Sequence, residues 1–353
     1  MTRRQPFGIY SEQVLIPASL REDNYFFPAW VQVFCFMATN TKTAEFVSPG
    51  HPDKICDLIA DSILDAYRAG DPESRVAIEV MGGHGLVTLN GEVTSLTKID
   101  PEHIVRAIVG DGVRIIANIV AQSPEIAQGV DTGGAGDQGI MKGYATSETA
   151  SRLPLEYELA RLVCRELYKI YPYDGKTQVT IRDGKVETVL ASFQNSKNDE
   201  LLTHLKRIID AEEYLTNPAG EWESGGFDAD TGLSGRKLVI DNYGPEVAIG
   251  GGSFSGKDYT KVDRSGAYMA RKVAVDYLEK YGAKEVVTKL AYAIGKAEPV
   301  MAVAVVDGKR MPITGYDLTP RGLREALRLD TIRFADTAAW GHFGREFPWD
   351  TVS

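Results

Sequence analysis

Apolar residues recur every three or four positions in six stretches of the chain, a spacing that places them on one face of an α-helix. Ile55, Leu58 and Ile59 begin one such pattern. Several stretches have a proline at their start, where its missing N–H leaves no helical hydrogen bond unmade. We predict helices over residues 52–68, 101–109, 154–168, 199–211, 265–281 and 320–329.

Between these helices, three stretches alternate apolar and polar residues around a turn dipeptide, the pattern of a β-hairpin. The dipeptides are Asn90-Gly91, Asp183-Gly184 and Asp307-Gly308. Asn-Gly and Asp-Gly readily adopt the positive φ that a two-residue turn needs. We predict hairpins over residues 86–94, 178–190 and 300–313. The order helix, hairpin, helix then occurs three times along the chain.

This threefold order predicts an α+β protein of three related units, each a mostly antiparallel sheet backed by helices. We place the units approximately at residues 39–127, 128–225 and 226–353, with strands free to be exchanged between them. Residues 1–38 are expected to form an N-terminal extension outside these units, because Met37, directly before the first unit, can serve as a second start residue.

Composition adds limits on function. The chain is 43% hydrophobic and 25% charged, an ordinary globular balance, and its net charge of −10 argues against a nucleic-acid-binding surface. No apolar run reaches the roughly 18 residues of a membrane helix, so no membrane partner is expected. The three cysteines are far apart, which predicts neither a disulfide framework nor a zinc site and favours the cytoplasm.

The first group of candidate site residues lies at the start of the first predicted helix, in the motif GHPDK at residues 50–54. His51, Asp53 and Lys54 crowd the turn into the helix. Aspartate suits Mg²⁺, and lysine suits phosphate. Farther along the same helix face, Asp61 and Asp65 are expected to be solvated, because the helix N-terminus no longer offsets their charge.

Two glycine-rich stretches carry further candidates. Residues 129–145 hold five glycines before Ile140 and include Asp137, which suits a loop that closely approaches a nucleotide. A flexible connector is the alternative interpretation. Residues 228–241 deliver Arg236 and Lys237 just after acidic residues, a mixture that suits a zwitterion beside phosphates.

Residues 250–264, GGGSFSGKDYTKVDR, begin like a phosphate-binding loop. Asp258 stands where the Walker A pattern requires Ser or Thr as a magnesium ligand. Lys257 and Lys261 place positive charges beside Asp258 and Asp263, and bound Mg²⁺ bridges carboxylate and phosphate oxygens. The loop therefore predicts a metal–polyphosphate site that uses a carboxylate where Walker A uses a hydroxyl.

The motifs GHPDK, GAGDQG, GGGSFSGKD and KVDRS, in this order, resemble those of the S-adenosylmethionine synthetase, or methionine adenosyltransferase, family. The resemblance runs from about residue 44 to residue 350. It implies three similar α+β domains, ATP and L-methionine as substrates, and Mg²⁺ (two per site) and K⁺ as cofactors. It also implies a homodimer or a dimer of dimers with active sites between subunits. In the implied reaction, the methionine sulfur displaces tripolyphosphate from the ribose 5′ carbon, and the tripolyphosphate is then hydrolysed to pyrophosphate and phosphate.

The resemblance also implies a role for each matching residue. His51 would lie beside the ribose oxygen and the reacting carbon. Asp53 and Asp263 would bind Mg²⁺, and Glu79 would bind K⁺. The residues expected to hold the tripolyphosphate are Lys176, Arg236, Lys237, Lys257 and Lys261, with Lys54 as a further candidate. Those expected at methionine are Glu92, Gln122, Asp230 and Lys261, and those at ribose or adenine are Asp137, Asp174 and Trp222. The catalytic set is His51, Lys176, Lys257 and Lys261.

Several positions depart from the family pattern. Pro49 stands where the family usually has glutamate, and the loop before Gly134 is shorter than usual. Glu221 and Glu223 lie near the expected adenine position, which leaves nucleotide preference open. A catalytically degenerate nucleotide-binding relative, acting as a regulatory subunit, is the alternative to an active enzyme. A Walker-type kinase or NTPase is the third hypothesis, which Asp258 disfavours.

Overall fold

The fold is seen in a computed structural model of the chain, which describes residues 40–122 and 133–352. The predicted extension at 1–38 and the first part of the glycine-rich stretch, residues 129–132, lie outside the described residues. The described residues form three four-stranded sheets, each with helices packed on one face. This architecture confirms the predicted α+β class with three units.

Seven α-helices are found in the described ranges, and six of them correspond to the predicted ones. They are α1 (Pro52–Gly70), α2 (Pro101–Val109), α3 (Leu155–Tyr168), α4 (Asn198–Ile208), α5 (Leu238–Asp241), α6 (Val262–Tyr281) and α7 (Pro320–Ala326). Side chains before the first turn set several of the starts. Asp100 accepts a hydrogen bond from the backbone N–H of His103 at the start of α2, and Thr319 accepts one from Gly322 at the start of α7.

The strands are β1 (Thr41–Val47), β2 (Arg75–Gly83), β3 (Leu86–Thr94), β4 (Arg114–Val120), β5 (Gly139–Thr146), β6 (Gly175–Arg182), β7 (Lys185–Phe193), β8 (Glu213–Thr216), β9 (Gly232–Leu233), β10 (Glu285–Tyr292), β11 (Met301–Val306) and β12 (Lys309–Pro312). The first sheet has the order β9-β2-β3-β4, the second β1-β6-β7-β8, and the third β5-β10-β11-β12. The β3–β4 and β7–β8 pairs are parallel and the others are antiparallel, so the sheets are mostly antiparallel, as predicted.

Each sheet takes one edge strand from a different part of the chain. The first sheet receives β9, the second receives β1, and the third receives β5, each paired antiparallel to the first strand of an inner hairpin. The sheets are therefore interlocked through the chain. The boundaries at 38, 127 and 225 stay predictions.

The first predicted hairpin is wrong. Asn90 and Gly91 lie inside the continuous strand β3, where they pair with Glu79 and Ile78 of β2. The chain turns instead at His84 and Gly85, whose φ angles are 51° and 76°. Gly91 is needed for a different reason, because a Cβ added there would lie 2.0 Å from the carbonyl oxygen of its neighbour across the strands.

The other two turn dipeptides do form turns. Asp183-Gly184 (φ 49° and 81°) joins β6 to β7, and Asp307-Gly308 (φ 44° and 79°) joins β11 to β12. In the third sheet, however, the Asp-Gly turn follows the third strand, whereas in the second sheet it follows the second strand. By position in the sheet, the equivalent of the β6–β7 hairpin is β10–β11, which is joined by residues 293–300.

The repeat extends to helix–sheet contacts. The hydroxyl of Thr177 on β6 donates to the carbonyl of Ala160 on α3 at 2.8 Å, and Thr288 on β10 donates in the same way to Ala270 on α6 at 2.6 Å. These bonds hold each long helix against the centre of its sheet. Over the described parts of the chain, no helix combines the length and apolar character needed to cross a membrane.

Candidate active site

The N-terminal turn of α1 brings together four predicted site residues from two distant motifs. Asp53 is fully buried, and its carboxylate accepts a hydrogen bond from the backbone N–H of Leu233 at 2.9 Å. The same carboxylate pairs with Lys237 and, at 3.0 Å, with the Nε of Arg236. His51 lies beside it and accepts the backbone N–H of Asp53 at its Nδ1, at 3.1 Å.

The hydrogen bond that Nδ1 of His51 accepts from the backbone of Asp53 determines where the imidazole ring carries its proton. Burial lowers the pKa of His51 to about 3, and the nearby charges of Lys237 and Lys176 act in the same direction. An Nδ1 that accepts a hydrogen bond carries no proton, so the neutral ring has its proton on Nε2. The side chain that meets a ligand here is therefore a neutral donor.

We predict that His51 of the ligand-free protein stays neutral from about pH 8 down to about pH 5. Because its folded pKa lies below the ordinary value of 6.5, the unfolded chain binds the proton first, and this group makes unfolding easier as pH falls from 6.5. The measurement is the imidazole signal in a pH titration by NMR, assigned by its loss in His51→Gln. A His51 signal that moves with a midpoint near 6.5 would contradict the geometry.

Lys54, from the same motif, lies apart from this group. It is buried between Asp57, at 3.0 Å, and Asp241. Burial acts against its charge, but the two carboxylates raise the pKa of Lys54, while burial raises the pKa of Asp241 to about 6. The other oxygen of Asp57 accepts the backbone N–H of Gly235 at 2.8 Å. Lys54 thus belongs to a buried network that supports the Arg236-Lys237 turn, and the structure does not place it at an open surface.

The loop at 250–264 forms a second group. Lys257 pairs with Asp263 at 2.8 Å, and both side chains are partly exposed. Lys261 pairs at 2.6 Å with Asp258, which is fully buried. Asp258 also accepts the backbone N–H groups of Val76, at 2.7 Å, and of a residue in its own loop. The expectation that Asp258 supplies a metal-binding carboxylate is therefore corrected, because its oxygens fasten the loop to β2.

The expected solvation of Asp61 and Asp65 is also wrong. Both oxygens of Asp61 accept from the guanidinium of Arg264, at 2.6 and 2.9 Å, and the pair is fully buried. Asp61 also accepts the backbone N–H of Gly256 at 2.9 Å. Asp65 accepts two successive backbone N–H groups at the start of the 3₁₀-helix Phe334–Thr337, each at 2.9 Å. These partners, far away in sequence, replace water.

The two groups are built alike. Asp53 is the second residue of α1, and Asp263 is the second residue of α6. Each carboxylate lies in the first helical turn, where the helix dipole favours negative charge, and each is matched by a lysine from a glycine-rich loop. The buried Asp61–Arg264 pair joins the same two helices: Asp61 lies about two turns beyond Asp53 in α1, and Arg264 directly follows Asp263 in α6.

Glu79 and Glu92 lie on the face of the first sheet that points away from α1. Glu79, on β2, accepts the hydroxyl of Ser234. Glu92, on β3, stands opposite Ala77 and beside Val120. Gln122 follows β4 with its side chain buried and both amide atoms without a partner in the described structure. These three of the five residues predicted to bind K⁺ or methionine are thus associated with one sheet.

Three of the predicted nucleotide-binding residues, Asp174, Lys176 and Trp222, lie at the second sheet. Lys176 on β6 is exposed and stands opposite Ser192, whose hydroxyl accepts the indole N–H of Trp222 at 3.0 Å. Asp174 accepts the backbone N–H of Gly226 at 3.1 Å, and burial raises the pKa of Asp174. Asp137 and Asp230 are exposed, and each accepts the N–H of the next residue.

Glu221, which left nucleotide preference open, is occupied elsewhere. Its carboxylate pairs with Lys197 at 2.8 Å and accepts the backbone N–H of Asn198 at 3.0 Å, at the start of α4. Glu223 is exposed and accepts the side-chain amide of Gln194 through its backbone carbonyl at 2.8 Å. The charge of Glu221 is therefore directed at a helix terminus.

Three supporting residues were not among the predicted site residues: Asp57, Ser234 and Asp241. Asp57 lies four residues after Asp53 on α1, but no sequence signal distinguished it as a supporting residue, and none pointed to Asp241. Across residues 40–122 and 133–352, no three His, Cys, Asp or Glu side chains are grouped closely enough to hold a metal by themselves. A metal at Asp53 or Asp263 would need oxygen ligands from elsewhere, such as phosphate.

The described residues thus define a threefold α+β protein in which carboxylates and cations are paired at the starts of two helices. Sequence models of the S-adenosylmethionine synthetase family match almost the whole described region. The N-terminal domain matches residues 39–123, the central domain 132–221, and the C-terminal domain 224–351.

Individual relatives agree with these matches. The chain is 40% identical to an S-adenosylmethionine synthase of Fusobacterium nucleatum, over 88% of this chain and 95% of that one. It is 39% identical to S-adenosylmethionine synthase 1 of Frankia casuarinae, with the same coverage. The solved structure of an unusual S-adenosylmethionine synthetase from Campylobacter jejuni superimposes with a TM-score of 0.79 at 31% identity, covering 89% of this chain and 97% of that one. This chain belongs to the S-adenosylmethionine synthetase family.

Proposed function

We propose that this chain is an active methionine adenosyltransferase, which makes S-adenosylmethionine from ATP and L-methionine. The methionine sulfur attacks the ribose 5′ carbon, the C–O bond to the tripolyphosphate breaks, and water then cleaves the tripolyphosphate to pyrophosphate and phosphate. One observation carries the proposal. Each carboxylate expected to bind Mg²⁺ is paired with a cation expected to bind tripolyphosphate: Asp53 with Arg236 and Lys237, and Asp263 with Lys257.

These pairs fit a metal polyphosphate chemically. A magnesium–phosphate ligand offers an anion to each cation and a metal to each carboxylate, so every pair can open without leaving a charge unmatched. The proposal places two Mg²⁺ ions at Asp53 and Asp263 and K⁺ at Glu79. Bound Mg²⁺ would neutralise the negative charge that develops on the departing tripolyphosphate.

The residues of the chain supply positioning and positive charge. A thioether sulfur is already a lone-pair donor, so the attack needs no general base. The demand falls on aligning the reactants and on stabilising the leaving polyanion. His51, neutral with its proton on Nε2, can donate a hydrogen bond to the ribose oxygen. Lys176, Lys257 and Lys261 are the catalytic cations of the proposal, and Lys261 also reaches methionine.

The proposal includes a homodimer, or a pair of such dimers, with active sites between subunits. The outer face of the first sheet supports it, because exposed Met81, Ile116 and Val120 lie on the same face as Glu79 and Glu92. An apolar patch beside polar site residues is typical of a protein interface. We also place the enzyme in the cytoplasm, which suits the free, buried thiols of Cys56 and Cys164.

The test is direct. The purified chain is mixed with ATP, L-methionine, Mg²⁺ and K⁺, and products are followed by mass spectrometry and phosphorus NMR. We expect the sulfonium product with equal amounts of pyrophosphate and phosphate. ADP and phosphate without sulfonium would indicate an NTPase. ATP binding without turnover would favour the degenerate, regulatory relative.

Replacing Asp53 with asparagine is expected to weaken the response to Mg²⁺. The substitution keeps the shape of the side chain but removes the charge that a hard cation prefers, and it leaves Lys237 without its partner. The measurement is the Mg²⁺ concentration for half-maximal turnover, with Asp111→Asn, an exposed loop residue, as the matched control. An unchanged magnesium titration would remove Asp53 from the metal site.

A further inference from the structure

One amide side chain lies between Asp174 and the segment that carries Trp222, two of the residues that the family resemblance places at ribose or adenine. Gln194 directly follows β7. Its backbone N–H donates to the carbonyl of Asp174 at 2.9 Å, which continues the β6–β7 ladder by one residue pair. The side-chain Oε1 of Gln194 accepts the backbone N–H of Asp174 at 3.4 Å. Gln194 was not among the predicted site residues.

The other end of the same amide holds the segment that carries Trp222. Nε2 of Gln194 donates to the backbone carbonyl of Glu223 at 2.8 Å. The neighbours of Gln194 contact the same segment: Ser192 accepts the indole N–H of Trp222 at 3.0 Å, and Asn195 donates its backbone N–H to the carbonyl of Trp222 at 2.9 Å. The chain just after β7 therefore fixes the place of the tryptophan.

Glycines let the backbone approach this amide closely. A Cβ added to Gly225 would lie 2.5 Å from Oε1 of Gln194 and 2.7 Å from Cζ3 of Trp222, so the glycine lies against both side chains. The next residue, Gly226, donates its N–H to the carboxylate of Asp174 at 3.1 Å. The Gln194 amide thus holds the tryptophan segment and Asp174 at one fixed separation.

This group lies at the GHPDK turn. A Cβ added to Gly50 would lie 2.7 Å from the backbone nitrogen of Asp174, and one added to Gly226 would lie 3.6 Å from the carbonyl oxygen of Gly50. His51, the residue proposed to reach the ribose oxygen, follows Gly50 directly. In the described structure, Gln194 has no hydrogen bond to a cation that we place at the tripolyphosphate. Its contacts are those of the nucleoside side of the site.

We propose that Gln194 is a positioning residue for the nucleoside half of ATP. It sets the separation between Trp222, which stacks on adenine, and Asp174, which contacts the nucleoside. Gln194 does not touch the reacting atoms and acts through these two neighbours. Because the ligand is ATP, the proposal rests on the function given above. It requires the nucleoside half and the tripolyphosphate half of ATP to respond differently to one substitution.

The test compares Gln194→Met with the parent, both as the full chain, by isothermal titration with Mg²⁺ present. One probe is the ATP analogue adenylyl imidodiphosphate. The other is diimidotriphosphate, which has three linked phosphates and no nucleoside. Gln194→Met keeps the volume of the side chain and removes both of its hydrogen bonds. We expect binding of the ATP analogue to weaken by about five- to tenfold, the effect of losing one or two hydrogen bonds, and binding of diimidotriphosphate to change by less than about twofold.

Lys185→Met, at the opposite end of β7, is the matched control and should leave both affinities unchanged. Unchanged binding of the ATP analogue by Gln194→Met would overturn the proposal. An equal loss for both probes, together with a lower unfolding temperature, would show that Gln194 only stabilises the fold, which also overturns it. If the parent chain binds neither probe, the proposed function fails, and the role of Gln194 fails with it.

Two further variants separate the contacts. Gly225→Ala keeps Gln194 but adds a methyl group against it and Trp222, at a φ of −150° that alanine readily adopts. It should show the same selective loss of the ATP analogue, so the test does not depend on the folding of Gln194→Met. Gln194→Glu keeps an acceptor for Asp174 and loses the donor to Glu223. Normal binding of the ATP analogue by either variant would overturn the proposed action through the tryptophan segment.

Discussion

Replacing Lys257 with alanine is expected to lower the kcat of adenosyl transfer by about two to three orders of magnitude, the typical effect of deleting one preorganised group that stabilises a developing anion. Lys257 lies 2.8 Å from Asp263, at the start of α6, and only this carboxylate pairs with it in the described structure. The substitution therefore removes a cation from the leaving group. It leaves Asp263 partly exposed, so the carboxylate can be solvated and the fold should persist.

The measurement is kcat at saturating ATP and methionine, with thermal unfolding as the check on folding. Lys185→Ala, an exposed lysine at the β6–β7 turn, is the matched control and should behave like the parent chain. Near-normal turnover of Lys257→Ala would contradict the assignment of this residue to the tripolyphosphate. If Lys257→Ala loses activity because it unfolds, Lys257→Arg becomes the test. This variant keeps the positive charge and should recover part of the rate.

Local signals in the sequence sufficed for the long helices and for two of the three turns. α1 and α6 have apolar residues at helical spacing, and their identity does not depend on distant contacts. Asp183-Gly184 turns because both residues adopt positive φ, which their chemistry favours. The same preference led to a wrong turn prediction at Asn90-Gly91. In strand β3, the glycine is needed because the backbone of Ala77 approaches it closely.

The exchange of edge strands could not be predicted in detail, because periodicity shows that a strand exists but not where it pairs. β1 joins the second sheet through seven residue pairs with β6, from Thr41↔Arg182 to Val47↔Lys176. This pairing places the segment before GHPDK beside the sheet that carries Lys176. The predicted site residues His51 and Lys176, far apart in sequence, are thereby held in one part of the fold.

The charged residues show a similar limit. The sequence identified the residue types of a metal–polyphosphate site, but not which charges are structural. Asp258 and Lys54 are the same residue types as Asp263 and Lys257 and lie in the same motifs or beside them. Both are nevertheless buried in contacts that hold loops in place. Burial alone does not separate the two kinds, since Asp53 is also fully buried. The difference depends on tertiary partners, such as Asp241 for Lys54, that no local pattern reveals.

Replacing Asp61 with alanine is expected to lower the free energy of unfolding by about 3–5 kcal/mol, the usual effect of removing one partner of a buried ion pair. Arg264 is 1% exposed, and both of its terminal nitrogens donate to Asp61. Without the carboxylate, the guanidinium is left buried with the hydroxyls of Thr337 and Tyr268 and one backbone carbonyl as its remaining oxygen acceptors. Gly256 also loses the acceptor of its N–H, which loosens the loop that carries Lys257.

The double variant Asp61→Leu/Arg264→Met separates the charge from the packing. Because replacing both members of a buried pair with apolar groups is often neutral, the double variant should be more stable than Asp61→Ala. Unfolding in urea is compared at one fixed chain concentration, since assembly adds to the apparent stability. If the single and double variants lose the same stability, the pair contributes through packing and the buried charge is not the cause. If the double variant folds but has low kcat, the Asp61–Arg264 pair positions the Lys257 loop against α1 as well as stabilising the fold.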